Sequence, residues 1–261
     1  MHLKSALTGA LLAAGCTGAS LVAHAATSML IGIAPSYSEG DYGAASTTKI
    51  DYVPVYLKYQ ADDLSLKLTV PYISVESAGA VVSGGTVIGK PGTGGRRTTA
   101  TESGLGDIWL EGRYRLHGSG AAPDVIPYAK VKFGTASRGK GLGTGENDYE
   151  AGVGLEWAVG TKTFPFVDVG YRVLGQLPGV TLQDFATYDA GAMLKVDNKN
   201  FLTGMFAGHG SAVAGQAGAA DLVVAWNHSL RPAAVLQAYF DKGLSDGSPN
   251  YAVGVGVETR F

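Results

Sequence analysis

The residues that could do chemistry in this chain are few and scattered. Gly139-Lys-Gly-Leu-Gly-Thr-Gly-Glu-Asn147 has the glycine spacing of a phosphate-cradling loop. Such a loop needs a Gly-Lys-Ser/Thr ending and a helix N-terminus behind it to hold an anion. The ending is missing, and residues 148–160 alternate as a strand, so the segment reads as a glycine-rich surface loop. Beyond residue 25 three histidines remain, His117, His209 and His228, without the spacing of metal ligands. A membrane-barrel phospholipase would need a serine, a histidine and an orienting polar residue together at the outer lipid face. The nearest pattern, Asn227-His228-Ser229, puts neighbours on opposite faces of a strand, where they cannot share a substrate. The expectation is no catalytic residue, no metal and no cofactor.

The charged residues say more as a set. Lys58, Lys67, Asp107, Glu111, Arg113, Arg115, Lys130, Lys132, Glu150, Glu156, Asp168, Arg172, Asp189, Lys195, Glu258 and Arg260 all fall on the polar side of alternating segments. Acids and bases are comparable in number. They could brace a narrow interior as salt bridges, line a weakly selective polar pore, or do both. Strong ion selectivity would need rings of one sign.

Those segments must therefore be strands. In Tyr251-Ala-Val-Gly-Val-Gly-Val-Glu-Thr-Arg-Phe261 the odd positions are mostly apolar or aromatic and the even ones small or charged. That is a period of two, and helical spacing would scatter the charges. The pattern recurs to give twelve strands near 27–38, 48–60, 63–75, 105–117, 124–135, 148–159, 163–174, 185–196, 200–209, 219–230, 233–243 and 250–261. Short polar turns alternate with longer links, the longest from Glu76 to Gly104. Sorted loops, an even strand number and apolar/polar alternation are the marks of an outer-membrane barrel with short periplasmic turns and longer extracellular loops. Tyr37, Tyr59, Tyr72, Tyr149, Trp157, Tyr171, Phe185, Tyr251 and Phe261 lie near strand ends, as interfacial girdles would. A terminal aromatic such as Phe261 is also a signal that barrel-assembly machinery reads.

Composition agrees. Of 261 residues 39 are glycine and 13 tyrosine, while only 16% are charged. Residues 1–25 have the form of a secretory signal: Lys4, a small apolar core, and Ala23-His24-Ala25 as cleavage site. Lipid attachment at Cys16 is the alternative processing, although the leucine usual three positions earlier is absent. Cleavage would remove the only cysteine and one lysine, leaving 19 bases, 22 acids and a formal charge of −3. That balance excludes nucleic acid as a natural partner. The domain plan is a signal at 1–25 and one all-β, transmembrane, antiparallel up-and-down barrel at 26–261.

Several segments resemble the outer-membrane transporter family labelled "MetA-pathway of phenol degradation". They are Ser38-Glu-Gly-Asp-Tyr-Gly43, Tyr52-Val-Pro-Val-Tyr-Leu-Lys-Tyr59, Leu66-Lys-Leu-Thr-Val-Pro-Tyr-Ile-Ser-Val75, Glu102-Ser-Gly-Leu-Gly-Asp-Ile-Trp-Leu110, Gly141-Leu-Gly-Thr-Gly-Glu-Asn-Asp-Tyr149, Gly170-Tyr-Arg-Val-Leu-Gly175 and Gly243-Leu-Ser-Asp-Gly-Ser-Pro-Asn250. The resemblance implies a barrel that takes up hydrophobic or aromatic compounds. One departure is Gly134 after Lys132-Phe133, where such chains often carry proline.

The expectation is therefore a barrel in the outer membrane of a Gram-negative bacterium, passing small solutes by diffusion. Its surroundings would be outer-membrane lipid and lipopolysaccharide. Loops 76–104 and 136–147 would shape the entrance, with Asp41, Tyr42, Arg96, Arg97, Glu146, Asn147 and Asp148 as contacts. The alternatives are a structural or adhesive barrel with a closed lumen, and the hydrolase weighed above.

Overall fold

A computed structural model describes residues 27–44, 46–83, 86–89, 99–177 and 179–261. The expected signal with Lys4 and Cys16, and the expected contacts Arg96 and Arg97, lie outside them.

The strands are β1 (Ser28–Ile33), β2 (Ser36–Gly40), β3 (Thr48–Ala61), β4 (Leu64–Ser77), β5 (Ala80–Ser83), β6 (Thr86–Gly89), β7 (Ala100–Leu105) and β8 (Ile108–Tyr114). They continue as β9 (Asp124–Phe133), β10 (Asp148–Glu156), β11 (Thr163–Val173), β12 (Phe185–Lys195), β13 (Asn200–His209), β14 (Ala219–Arg231), β15 (Ala234–Gly243) and β16 (Tyr251–Arg260). β1 and β2 form one stave interrupted at Ala34-Pro35, and β7 and β8 form another interrupted at Gly106-Asp107. With those joined, twelve antiparallel staves follow one another around a closed barrel.

Closure is made by Leu30↔Arg260 and Tyr251↔Glu39 pairing between the first and last staves. Phe261 completes it: its N–H donates to the Met29 carbonyl at 3.0 Å, and its carbonyl accepts from the Met29 N–H at 3.2 Å. A backbone in hydrocarbon has no water to satisfy its polar groups, so the seam has to pair too.

Alternation sorts the faces. Leu64, Leu66 and Leu68 of β4 and Val253, Val255 and Val257 of β16 point outward and are exposed, while Lys58, Lys130, Lys132 and Glu258 are buried inside. A continuous apolar exterior around a charged interior is the reverse of a water-soluble protein, and lipid is the solvent that fits it. Tyr72, Tyr149, Tyr171 and Tyr251 mark the outer rim of this belt, and Tyr114, Trp226 and Phe261 the periplasmic rim. Tyr149 of β10 and Trp157, one residue past its end, stand about 27 Å apart at ~3.4 Å per residue, before tilt; the usual apolar band is about 25 Å tall. Phe185 is not part of the girdle: it is 3% exposed and stacks on His209 inside, 4.6 Å between centroids. Its position at a strand end does not reveal its face.

The turns suit their chemistry. Ala61↔Leu64 leaves a two-residue turn in which Asp62 takes φ +46°, a conformation Asp tolerates better than most side chains. In the turn at 197–199 the Asp197 carboxylate accepts the Asn200 side-chain amide and the backbone N–H groups of Lys199 and Asn200, which holds it below the usual carboxylate range.

The long link from 76 to 104 departs from expectation. Its composition predicts a loop, yet β5 and β6 pair as a hairpin and β7 extends the β8 stave upward against β4, from Ala100↔Ser77 to Leu105↔Tyr72. The abundant Gly, Ser and Thr mask Val81, Val82, Val87 and Ile88, which form an apolar hairpin. The strand ends also shift: β8 stops at Tyr114 and β10 at Glu156, with only the isolated bridges Leu116↔Val125 and Val159↔Thr163 beyond them.

Some interior glycines make room for rings. Tyr128 of β9 lies across Gly152 of β10 and Gly170 of β11; a Cβ at Gly152 would stand 2.3 Å from the Val169 carbonyl and 2.5 Å from the ring. On the outer face of β13, a Cβ at Gly204 would meet nothing within 4 Å. We expect Gly152→Ala to cut the yield of the compact band seen on unboiled detergent gels after refolding, and Gly204→Ala to leave it unchanged. Equal yields would refute this packing.

Candidate functional site

Polar groups, aromatic rings and empty space meet in the lumen. It has two unlike walls.

The β8–β11 wall carries a ladder of ion pairs. At the outer end Lys132, fully buried, holds Asp148 at 2.7 Å and Asp107 at 3.4 Å, with the Thr144 hydroxyl at 3.2 Å. Half-way down, Glu150 binds Lys130 at 3.0 Å and Arg172 at 2.7 Å. Glu111 lies 3.9 Å from Lys130 and 3.8 Å from Arg113. Arg113 donates to Asp168. Arg172 also stacks over Trp109, and Arg113 over Tyr128. At the periplasmic end Arg115 bridges Glu156 at 2.7 Å and Asp124 at 3.0 Å, and His117 meets Asp63 at 2.7 Å. Arg113 to Asp168 spans β8 to β11, so the ladder ties together staves that are not neighbours.

The sixteen charged residues assigned to the interior by alternation do not all join this ladder. Asp107, Glu111, Arg113, Arg115, Lys130, Lys132, Glu150, Glu156, Asp168 and Arg172 do. Lys67 sits over the Tyr56 ring at 4.6 Å, and Arg260 reaches the Gln60 side-chain oxygen at 3.5 Å. Lys58, Asp189 and Glu258 are buried, and Lys195 is half-buried. Asp124 and Asp148 also point inward, and so do Asp221 and Asp241 on the far wall, which tilts the interior toward negative charge. Asp148, expected as a loop contact, is instead the first residue of β10, paired with Lys132.

The opposite wall, β13–β16 with β2 and β3, is lined mainly by small and apolar residues. In its outer half lies a cavity of about 110 Å³. Four aromatic side chains line it, Tyr42, Tyr52, Trp109 and Tyr239, together with Ile50, Ile73 and Leu142 and the carboxylates of Asp107, Asp221 and Asp241. Asp221 and Asp241 are 6% and 7% exposed, and each has one carboxylate oxygen without a hydrogen-bond partner among the described residues. Sequence reasoning missed both. Ala219, Val223 and Ala225 face inward on the same strand, so the inner face of β14 looks as apolar as the outer, and Asp221 gave no polar stripe to follow. The parity that Trp109 shares with Asp107 and Glu111 was the available signal for an inward ring.

Above the cavity the β5–β6 hairpin lies across the outer mouth. Val82 and Val87 pack with Ile50, Ile73, Val75, Ala136 and Leu142. Val81 and Ile88, each 1% exposed, pack on the other side with Leu177 and Leu182. The Val82 N–H donates to the Gly141 carbonyl at 2.9 Å, joining the hairpin to the 134–147 loop. Tyr42 is buried at φ +50°; its hydroxyl donates to Ser38 at 3.0 Å, and burial pushes its pKa up to about 12, so the ring stays neutral. Asp41, Glu146 and Asn147 are exposed at the rim, with Asp41 accepting from the Thr47 hydroxyl at 2.9 Å.

His228 faces outward at the periplasmic rim, bonded to Asn200 at 2.8 Å, while Asn227 faces inward and bonds Gln237. No group of three or more His, Cys, Asp or Glu among the described residues is arranged to hold a metal.

No family signature matches the chain, and no curated protein matches it in sequence. Solved structures do share its fold. The COG4313 outer membrane channel from Pseudomonas putida F1 superposes with a TM-score of 0.69 at 15% identity, over 92% of this chain and 97% of that one. The NanC porin gives 0.58 at 11%, over 88% and 98%. The CymD monoaromatic hydrocarbon channel gives 0.51 at 10%, over 90% and 88%. The chain thus has the architecture of outer-membrane barrels.

The ladder makes a stability prediction. Removing one partner of a buried pair strands the other charge, at a cost of about 3–5 kcal/mol. Lys132→Met should lower the urea midpoint for loss of the folded band by a corresponding amount. Lys49→Ala, which breaks the solvent-facing pair with Glu76, should leave the midpoint where it was. Equal midpoints for both variants would show that the ladder does not hold the barrel.

Proposed function

We propose that this protein is an outer-membrane channel through which small solutes with an apolar or aromatic body pass by diffusion. The observation that carries this reading is the aromatic-lined cavity, left open in the outer half of the lumen beneath an apolar hairpin. A barrel built only for rigidity would fill that space with side chains, as the β8–β11 wall does. Three solved barrels of like fold are a channel, a porin and a monoaromatic hydrocarbon channel, which supports the class. The resemblance to the phenol-degradation transporter family points the same way for the solute.

In this reading residues 1–25 export the chain, lipid and lipopolysaccharide surround the barrel, and Phe261 presents the end that assembly machinery recognises. Solute would enter past Asp41, Glu146 and Asn147 and displace or skirt the hairpin. Enzymatic hydrolysis is not part of the proposal, since His228 lies at the periplasmic rim, away from the outer lipid face. The closed-lumen alternative has one observation in its favour: the hairpin and ladder together leave little straight passage.

Flux decides between them. Liposomes carrying the refolded protein should swell measurably in isotonic phenylalanine, a membrane-impermeant aromatic, and more slowly in arabinose. Val81→Ser with Ile88→Ser, which loosens the hairpin from Leu177 and Leu182, should raise both rates several-fold. No flux through either protein, with the compact band intact, would overturn the channel and favour a structural barrel.

A further inference from the structure

We propose that the cavity beneath the hairpin binds organic cations: a primary amine or small ammonium group carried on an apolar body. This deepens the channel reading by naming a solute class, and rests on that reading.

The argument starts from the inequality of the two walls. Every carboxylate of the β8–β11 ladder has a cation within ion-pair distance: Asp107, Asp124, Asp148, Glu150, Glu156, Asp168 and Glu111. Asp221 and Asp241 have none among the described residues. They stand on adjacent strands, both inward, at diagonal positions: the register pairs Asp221 with Gly243 and Val223 with Asp241. Diagonal neighbours lie about 7–8 Å apart, close enough to repel in a poorly solvated lumen. Both are more than nine-tenths buried, and each keeps an oxygen without a hydrogen-bond partner. A buried charge is tolerated when something pairs with it. The described chain supplies no cation here, Ser248 giving Asp221 only a hydroxyl, and the cavity these two acids line holds space beside them.

The rest of the lining selects the kind of cation. A small inorganic ion needs a shell of oxygens, whereas this cavity offers Tyr42, Tyr52, Trp109 and Tyr239 with Ile50, Ile73 and Leu142. Aromatic faces attract organic ammonium groups, and the aliphatic residues cover the body that carries the charge. Asp107, the third acid of the lining, is already held by Lys132 at 3.4 Å and by the Ala136 N–H at 3.0 Å, so the unmatched charge is that of Asp221 and Asp241.

Benzylammonium, the neutral benzyl alcohol and the anion benzoate share a ring and differ in charge. Calorimetric titration of the refolded protein in detergent should show saturable binding of benzylammonium, at least about tenfold tighter than benzyl alcohol and with no detectable benzoate binding. Trp109 fluorescence should change along the same curve. Asp221→Asn and Asp241→Asn should each remove most of the preference for the amine, in protein that keeps the compact unboiled band. Should a variant fail to fold, the comparison of the three ligands on the unaltered protein still decides. Equal binding of amine and alcohol, or a preference unchanged in both variants, would overturn the proposal. Flux in liposomes without amine preference would remove the cation site and leave the channel; amine-selective binding without flux would keep the site and remove the channel.

Discussion

A peptide group in hydrocarbon has nothing to bond to except another peptide group. That constraint governs the whole molecule. It forces every stave to be paired on both edges and makes the first and last staves meet at Leu30↔Arg260. It also draws the terminal Phe261 into exchange with Met29 across the seam. Once the barrel is closed, each strand has one side in lipid and one in the lumen. The apolar residues must take the first, and the charges must find partners on the second. The ladder on β8–β11 follows: Lys132, Lys130, Arg113 and Arg115 stand on the lumenal side and have to reach carboxylates there. Lys130 and Lys132 pair directly across β9 and β10, while Arg113 reaches from β8 to Asp168 on β11 and braces staves that the backbone joins only through intermediates.

The same constraint explains how much of the fold is legible in the sequence. A period of two is obligatory in a strand with lipid on one side, so ten or so residues of alternation, as in Leu64 to Tyr72, state both the element and its facing. Sorted loop lengths state the topology. Places where the alternation carries no contrast escape such a reading. Asp221 sits on a strand whose inward side is Ala and Val. Phe185, an aromatic at a strand end, fits a girdle and a lumen equally well by type. The β5–β6 hairpin lies outside the barrel wall, where no membrane periodicity applies, and its four apolar residues are diluted among Gly, Ser and Thr. Tertiary packing against Leu142 and Leu177 makes it a hairpin, and that packing leaves no local signature.

The two walls also account for the glycine content. On the ladder wall, Gly152 and Gly170 give up their side chains so that Tyr128 can lie across them, and Gly154 leaves room for Arg113 to meet Asp168. On the other wall Gly254 likewise makes room for the Tyr239 ring, while Ala207, Ala219, Ala252 and Gly256 face inward with little volume. Small residues thus admit large rings on both walls, and the alanines of β14 and β16 leave the space that the cavity occupies.

That division places most of the ion pairs and most of the space on separate staves, with Asp107 and Trp109 shared between them. A lumen filled evenly would be stable and shut; one emptied evenly would lose the cross-strand ties that hold buried Lys and Arg at acceptable cost. With the ion pairs gathered on β8–β11, the cavity can sit against β14 and β15 without weakening the brace. The hairpin then has a clear reason to be apolar. Charged side chains at 81 and 88 would have to be buried there without partners, whereas Val81 and Ile88 need only the packing that Leu177 and Leu182 supply.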